Sequence, residues 1–261
     1  MLDLLNVDEI RAALDSEMNL TVLREIDSTN RYLGDRARQG VNGPEGCLAE
    51  YQTAGRGRHG KNWFSPFASG LCISFLWTTH NPLQKWNGLT LALGTAIADI
   101  IEQRGVQGLG LKWPNDLYWT QRKLAGLLIE SIARPDGMIH LIIGLGINIH
   151  IPPGTLDMLD QPWTDLTQAG WNPCSRNQLA ANLLTGLAKT LRNFETNGLA
   201  PFLELWRARD ILNGKNLSIQ ISAGQNISGI GAGIDDQGAL QIYHGATIRS
   251  FSSGEVSLRF N

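Results

Sequence analysis

The chain has 261 residues, of which 43% are hydrophobic and 18% are charged, and its formal net charge is −2. This length allows one large domain, or a domain with a small module, and the hydrophobic content supports a buried core. The near-neutral charge argues against general attraction to nucleic acid or to an anionic membrane.

Further features argue against membrane, secreted and metal-binding classes. The longest apolar run, residues 89–101, is about 13 residues long, which is too short to span a bilayer. The N-terminus lacks the basic region of a secretory signal. Cys47, Cys72 and Cys174 are far apart, and the five histidines show no metal-ligand spacing. We therefore expect a cytoplasmic protein without a disulfide framework or a metal site.

Hydrophobic periodicity predicts alternating helices and strands in the first two hundred residues. Helices are predicted over residues 8–15, 31–39, 86–104, 175–197 and 202–209, and strands over 21–26, 46–51, 71–77, 123–131 and 138–149, with a loop at 151–161. Ser28 precedes the second helix and has the character of an N-cap residue. The same position also suits a polar ligand bound at a helix N-terminus, so both roles stay open.

After Asn213-Gly214 the pattern changes to short β-rich runs separated by turns. Strands are predicted over residues 217–221, 225–234, 239–243, 247–251 and 256–260. This spacing suggests a small barrel of about 48 residues docked on the larger domain. We predict two domains, residues 1–212 and residues 213–261.

A glycine- and arginine-rich stretch, AEYQTAGRGRHGKNW at residues 49–63, lies between two predicted strands. Glycine lets the backbone approach a ligand closely, and Arg56 and Arg58 supply forked donors for phosphate or carboxylate. The stretch predicts an anion clamp that is mobile until it is filled. Its glycines also fit G-x-G-x-x-G, but Pro66 follows where a dinucleotide fold requires a helix. An ordinary surface loop remains the alternative.

Two polar motifs interrupt apolar strand patterns further along the chain. Residues 111–116 combine Lys112, Asn115 and Asp116, and burying such groups costs several kcal/mol unless they are paired or bind something. Structural pairing of Lys112 with Asp116 is one interpretation, and a binding site is the other. Lys123 starts the next strand, either as a surface side chain or as a cation directed into a pocket.

These motifs together resemble those of the biotin–protein ligases. The matching strings are DSTN at 27–30, GRGR at 55–58 before Trp63, KWPND at 112–116, RKLAG at 122–126, GLGIN at 144–148 and GEVSLR at 254–259. The resemblance implies an α/β (α+β) catalytic domain related to class II aminoacyl-tRNA synthetases, followed by an SH3-like β-barrel. It also implies a reaction in which biotin and ATP, with Mg²⁺, give biotinyl-5′-AMP. The biotin then passes to a lysine of a biotin carboxyl carrier domain, such as that of acetyl-CoA carboxylase.

The resemblance also implies roles for individual residues. Biotin would be bound by Ser28, Thr29, Asn30, Gln52, Gly55, Arg56, Gly57, Arg58 and Lys123, and the nucleotide by Arg58, Asn115, Asn148 and Trp163, with Glu255 and Arg259 as weaker candidates. Lys123, Arg58 and Lys112 would stabilise negative charge where a carboxylate meets a polyphosphate. Asp116 would orient or deprotonate the acceptor amine. No metal ligand is expected from the protein.

Two features differ from the family pattern. About 20 residues precede the first predicted strand, too few for a winged helix-turn-helix, so we expect the monofunctional type with no DNA binding. Lys61 stands where the family often has arginine, which keeps the charge but loses the fork. A homodimer is also compatible with the resemblance, since dimerisation is common in the family.

Two other functions remain open. A lipoate–protein ligase shares the fold and chemistry but acts on a different acid, although the glycine-arginine loop together with KWPND favours biotin. A catalytically idle biotin-binding relative is the second alternative. Retention of Lys112, Asp116, Lys123 and both loop arginines argues against it.

Overall fold

The computed structural model describes residues 3–15, 17–155, 161–171, 174–221, 226–253 and 256–260. Across these residues the chain forms five α-helices and two β-sheets. The helices are α1 (Val7–Ala12), α2 (Thr29–Arg38), α3 (Leu89–Glu102), α4 (Arg176–Asn197) and α5 (Leu203–Arg207). The strands are β1 (Asn19–Ile26), β2 (Glu45–Gln52), β3 (Gly70–Thr79), β4 (Leu109–Lys112), β5 (Asp116–Trp119), β6 (Arg122–Ala133), β7 (Ile139–Asn148), β8 (Asn216–Ile221), β9 (Asn226–Ile234), β10 (Leu240–His244), β11 (Thr247–Phe251) and β12 (Val256–Phe260).

The larger sheet has seven strands in the order β1-β2-β3-β7-β6-β5-β4. Strands β1 and β2 are parallel, and every other neighbouring pair is antiparallel. This arrangement brings the ends of β1, β2 and β7 to the same end of the sheet as the starts of β3 and β6. Polar residues that are far apart in sequence therefore meet at one end of the sheet.

The two faces of this sheet bury different side chains, because successive residues of a strand point to opposite sides. On β7, Ile143, Leu145 and Ile147 belong to the main hydrophobic core. Their neighbour Ile142 packs instead with Leu33 of α2 in a second, smaller cluster. Helix α2 thus covers one face, and α3 and α4 pack against the other.

The smaller sheet has five antiparallel strands in the order β11-β10-β9-β8-β12. Its buried side chains, including Ile219, Leu240 and Ile242, join the same continuous core as those of α3 and α4. The Trp113 indole donates a hydrogen bond to the Gly238 carbonyl oxygen at 3.0 Å, which also ties the small sheet to the large one. The predicted α/β architecture with a small C-terminal β domain is confirmed, and the division at residue 212 stays a prediction.

Most predicted elements are present, and the bounds of two helices, α1 and α3, differ most from the prediction. Helix α1 runs over Val7–Ala12 and not to residue 15, and the Asn6 side chain caps it by accepting from two backbone amides. Helix α3 begins at Leu89 and not at Trp86, because Gly88 at φ 80° interrupts it. A short 3₁₀ turn, Leu83–Trp86, occupies the preceding segment. The predicted loop at 151–161 lies partly outside the described residues.

Within the described part of the chain, every helix is too short or too polar to cross a membrane.

Candidate active site

The glycine-rich stretch forms a tight hairpin between β2 and β3. Trp63 N donates to Gly55 O at 2.9 Å, and Gly57 N donates to Lys61 O at 2.7 Å. His59 and Gly60 form the tip with φ values of 54° and 72°. A Cβ on Gly55 would lie 2.4 Å from the Trp63 carbonyl oxygen, so only glycine allows the hairpin to close there. This segment, residues 55–63, is called the lid hairpin below.

A buried polar floor lies beside the lid hairpin, at the N-terminus of α2. Ser28, Thr29 and Asn30 are all buried, and Ser28 is the N-cap, as predicted. Gln52, at the end of β2, accepts from Thr29 N at 2.9 Å and from Thr29 Oγ1 at 3.1 Å. Ser74 of β3 lies within 2.7 Å of Thr29 Oγ1 and 2.6 Å of Asn30 Oδ1. Neutral hydrogen-bonding groups therefore gather in one small region. The polar floor below means these five residues, Ser28, Thr29, Asn30, Gln52 and Ser74.

Glu130 of β6 connects this floor to the lid hairpin. Its carboxylate accepts from Asn30 Nδ2 at 2.9 Å. The same carboxylate lies 2.8 Å and 3.1 Å from the two terminal nitrogens of Arg56. Arg56 is thus linked to Asn30 of the floor through the Glu130 carboxylate.

The two glycines of β7 explain how these parts approach each other. A Cβ on Gly144 would lie 2.4 Å from Asn30 Oδ1, and one on Gly146 would lie 2.3 Å from the Trp63 ring. The close approach at Gly146 is made by the flat ring of Trp63. The glycines therefore let the floor and the lid hairpin pack directly on the sheet.

Charged groups form the next part of the site. Lys123 Nζ lies 2.9 Å from Asp116 Oδ1 and 5.8 Å from the centre of the Trp63 ring. On the lid hairpin, Arg58 donates to Asn115 Oδ1 at 3.2 Å and to the Ser253 carbonyl oxygen of the small domain. Burial lowers the pKa of Arg58, although the nearby Asp116 opposes this effect. The structure thus brings Arg58, Asp116 and Lys123 together.

Lys112 is the residue across the strands from Asp116. The Asp116 carboxylate forms an ion pair with Lys123, a contact that the sequence did not predict. Lys112 Nζ lies 3.4 Å from Tyr118 Oη and 5.2 Å from the centre of the same ring. Burial lowers the pKa of Lys112 to about 8, and the Asp116 carboxylate opposes part of that shift.

Two of the four predicted nucleotide-binding residues, Asn148 and Trp163, flank the start of β6. Lys123 N donates to Pro162 O at 3.0 Å and Thr164 N donates to Lys123 O at 2.9 Å, so Trp163 lies beside Lys123. Asn148 Nδ2 donates to Thr164 O at 3.0 Å. Asn148 Oδ1 is buried without a hydrogen-bond partner among the described residues. Such an atom is costly unless a ligand or water satisfies it.

Three further residues were named from the sequence. Glu255 lies outside the described residues, and Arg259 lies on β12, where it pairs with Ser218. Lys61 closes the base of the lid hairpin through its backbone, and its side chain is exposed. No cluster of three or more His, Cys, Asp or Glu side chains that could hold a metal ion occurs in the described ranges.

Sequence reasoning missed Ser74 and Glu130. Each was visible as a polar residue within an apolar strand, LCISFLW for Ser74 and KLAGLLIES for Glu130. The pattern alone does not reveal their partners, because those partners lie on other elements.

Comparison with known proteins agrees with this architecture. Residues 22–148 match the biotin/lipoate A/B protein ligase family, and residues 214–259 match the biotin protein ligase C-terminal domain. The bifunctional ligase/repressor BirA of Escherichia coli is 40% identical over 259 residues, which cover 99% of this chain and 79% of BirA. The chain belongs to the biotin protein ligase family.

Two further relatives extend the comparison. The biotin--[acetyl-CoA-carboxylase] ligase of Mycobacterium tuberculosis is 32% identical over 95% of this chain and 92% of its own length. The structure of biotin protein ligase from Aquifex aeolicus in complex with biotin and ATP superimposes with a TM-score of 0.79 at 28% identity. That match covers 93% of this chain and 99% of the other.

Proposed function

We propose that this protein is an ATP-dependent biotin–protein ligase. It joins the biotin carboxylate to the α-phosphate of ATP, releasing pyrophosphate, and then passes biotin from biotinyl-5′-AMP to a lysine amine, releasing AMP. The observation that carries the proposal is the position of Lys123. Its ammonium lies over the Trp63 ring, and Trp63 itself packs beside the floor formed by Thr29, Asn30 and Gln52.

In the first step, the polar floor binds the neutral head of biotin. Ser28, Thr29, Asn30 and Gln52 supply both donors and acceptors there, and the lid hairpin with Gly55, Arg56 and Gly57 covers the bound acid. Lys123 meets the carboxylate. Because that carboxylate must approach a polyphosphate, Arg58 and Lys112 act as electrostatic stabilisers of the combined negative charge.

The nucleotide would lie between Asn148, Trp163 and Asn115. The unsatisfied Asn148 Oδ1 supports this placement, since a base amino group can donate to it. Trp163 supplies a flat ring for stacking. Mg²⁺ would arrive with the phosphates of ATP and neutralise part of their charge.

In the second step, an acceptor lysine must lose a proton, because its unperturbed pKa is about 10.4. Asp116 would be the base that takes this proton. Its partner Lys123 then also pairs with the bound acid, which leaves the Asp116 carboxylate available. The lid hairpin also excludes water from the mixed anhydride until the acceptor arrives.

The proposed acceptor is a biotin carboxyl carrier domain, and the proposed compartment is the cytoplasm, where ATP is abundant. A homodimer is proposed through β1, which has β2 as its only neighbour in the order of the described sheet and so presents a free strand edge. Sedimentation measured with and without biotin and ATP tests the dimer.

ATP–pyrophosphate exchange measured with biotin, with lipoate and with neither acid tests the function. We expect exchange that depends on biotin and is lost in Lys123→Met. The matched control is Lys189→Met, because Lys189 forms an exposed pair with Asp15 at 2.6 Å. Exchange that depends on lipoate would establish the lipoate–protein ligase, and absence of exchange with both acids would establish the idle relative.

A further inference from the structure

We infer that Glu130 is a positioning residue that couples the lid hairpin to the polar floor, an inference that rests on the proposed biotin ligation. Glu130 lies on β6 with 28% of its side chain exposed, whereas Arg56 is 44% exposed. The Arg56 guanidinium meets both carboxylate oxygens, at 2.8 Å and 3.1 Å. Two parallel contacts of this kind restrict the angle of approach as well as the distance. The base of the lid hairpin is therefore anchored to a strand of the sheet.

The same carboxylate determines the direction of hydrogen bonding in the floor. An ionised carboxylate can only accept, so Asn30 must turn its NH₂ group towards Glu130 at 2.9 Å. The Asn30 carbonyl oxygen then faces Ser74, which donates its single proton across 2.6 Å. The Ser74 hydroxyl also lies 2.7 Å from Thr29 Oγ1.

Close packing against β7 fixes the location of the Asn30 amide group. Gly144 lies on β7, next to β6, where any side chain would overlap the Asn30 amide. The amide is thus held between the backbone of β7 on one side and the Glu130 carboxylate on the other. If the Asn30 amide were flipped, its NH₂ group would face the donating hydroxyl of Ser74, and its carbonyl oxygen would face the Glu130 carboxylate.

The ligand makes this direction important. The head of biotin is a cyclic urea with one carbonyl acceptor and two N–H donors, so it recognises a floor whose own donors and acceptors are ordered. Without the negative charge of Glu130, the Asn30 amide loses its fixed hydrogen-bond direction, and the lid hairpin loses its anchor to β6. Binding of biotin and retention of its adenylate should therefore weaken together.

The test compares Glu130→Gln with Glu204→Gln, which removes the carboxylate of an exposed pair with Arg207. Without ligand, we expect the hydrogen-bonded amides of Gly57 and Trp63 to exchange roughly tenfold faster in Glu130→Gln, because a charge-assisted anchor is lost. With ligand, we expect biotin to dissociate and biotinyl-5′-AMP to escape roughly tenfold faster, while the ATP KM changes less than about threefold. Glu204→Gln should match the parent in all these measurements.

The pair Arg56→Gln and Glu130→Gln gives a second readout. Their effects on adenylate escape should be clearly less than additive, because either substitution breaks the same contact. Additive effects, or unchanged amide exchange and biotin affinity in Glu130→Gln, would overturn the inference. If the parent protein fails to exchange pyrophosphate in response to biotin, the proposed function is wrong. The amide exchange then still decides whether Glu130 anchors the lid hairpin.

Discussion

The Lys123 ammonium and the Asp116 carboxylate lie 2.9 Å apart, with only 17% and 16% of their side chains exposed. The pair stands between the polar floor and the residues proposed for the nucleotide. Under the proposed function the two partners serve different steps, Lys123 binding the carboxylate of the acid and Asp116 the amine of the acceptor.

Asp116→Asn should separate the two steps. Transfer to the acceptor should fall by roughly a hundredfold, the lower range for loss of a positioned base, while adenylate formation changes less than about threefold. Single-turnover measurements of each step, with Lys123→Met as the variant that slows the first step, provide the check. Equal slowing of both steps by Asp116→Asn would rule out the role in transfer.

Arg58→Gly should release the adenylate from the site. The substitution removes the contacts to Asn115 and to Ser253, which together hold the tip of the lid hairpin against both domains. We expect roughly tenfold faster escape of biotinyl-5′-AMP, measured by trapping the released intermediate in the absence of acceptor. Arg58→Lys, which keeps the charge but not the fork, should give an intermediate rate. Retention as tight as that of the parent would contradict the lid function.

Gly146→Ala should weaken the site through a steric clash. The new methyl group would lie 2.3 Å from the Trp63 ring, so the lid hairpin must shift, at a cost of about 1–3 kcal/mol. We expect weaker biotin binding by calorimetry and a lower midpoint of unfolding. The control is Gly94→Ala in α3, whose methyl group would meet its nearest neighbour at an ordinary 3.5 Å. That control should stabilise the fold by roughly 0.5–1 kcal/mol, and a similar effect of both substitutions would contradict the prediction.

Asp210→Asn should stabilise the protein in a manner that depends on pH. Burial raises the pKa of Asp210 to about 6 from 3.8, although hydrogen bonds from Leu212 and Asn213 oppose the shift. The folded state thus holds this proton more tightly than the unfolded state, and stability is lost as pH rises from about 4 to about 6. The asparagine lacks this penalty, so its advantage should reach about 3 kcal/mol above pH 6 and vanish below pH 4.

Urea unfolding of Asp210→Asn and of the parent at several pH values measures this difference. The comparison variant is Asp35→Asn, whose carboxylate forms an exposed pair with Arg38. A constant difference between Asp210→Asn and the parent across the range would show that the Asp210 proton does not contribute.

Most elements and most residues of the site followed from local sequence. Apolar periodicity predicted the strands, and Ser28 marked the start of α2. These features depend on the nearest neighbours in the chain, which a sequence displays directly. The motifs carrying charge and glycine likewise identified the family, although they did not reveal that Asp116 pairs with Lys123.

Contacts between distant residues were decided by the tertiary structure alone. Glu130 reaches Asn30 across 100 positions and Arg56 across 74, because the order β2-β3-β7-β6 sets these segments side by side. Gly144 and Gly146 are required by what packs on them, the Asn30 amide and the Trp63 ring. A sequence shows which residues can hydrogen-bond or clear space, but only the packing of the sheet determines which of them meet.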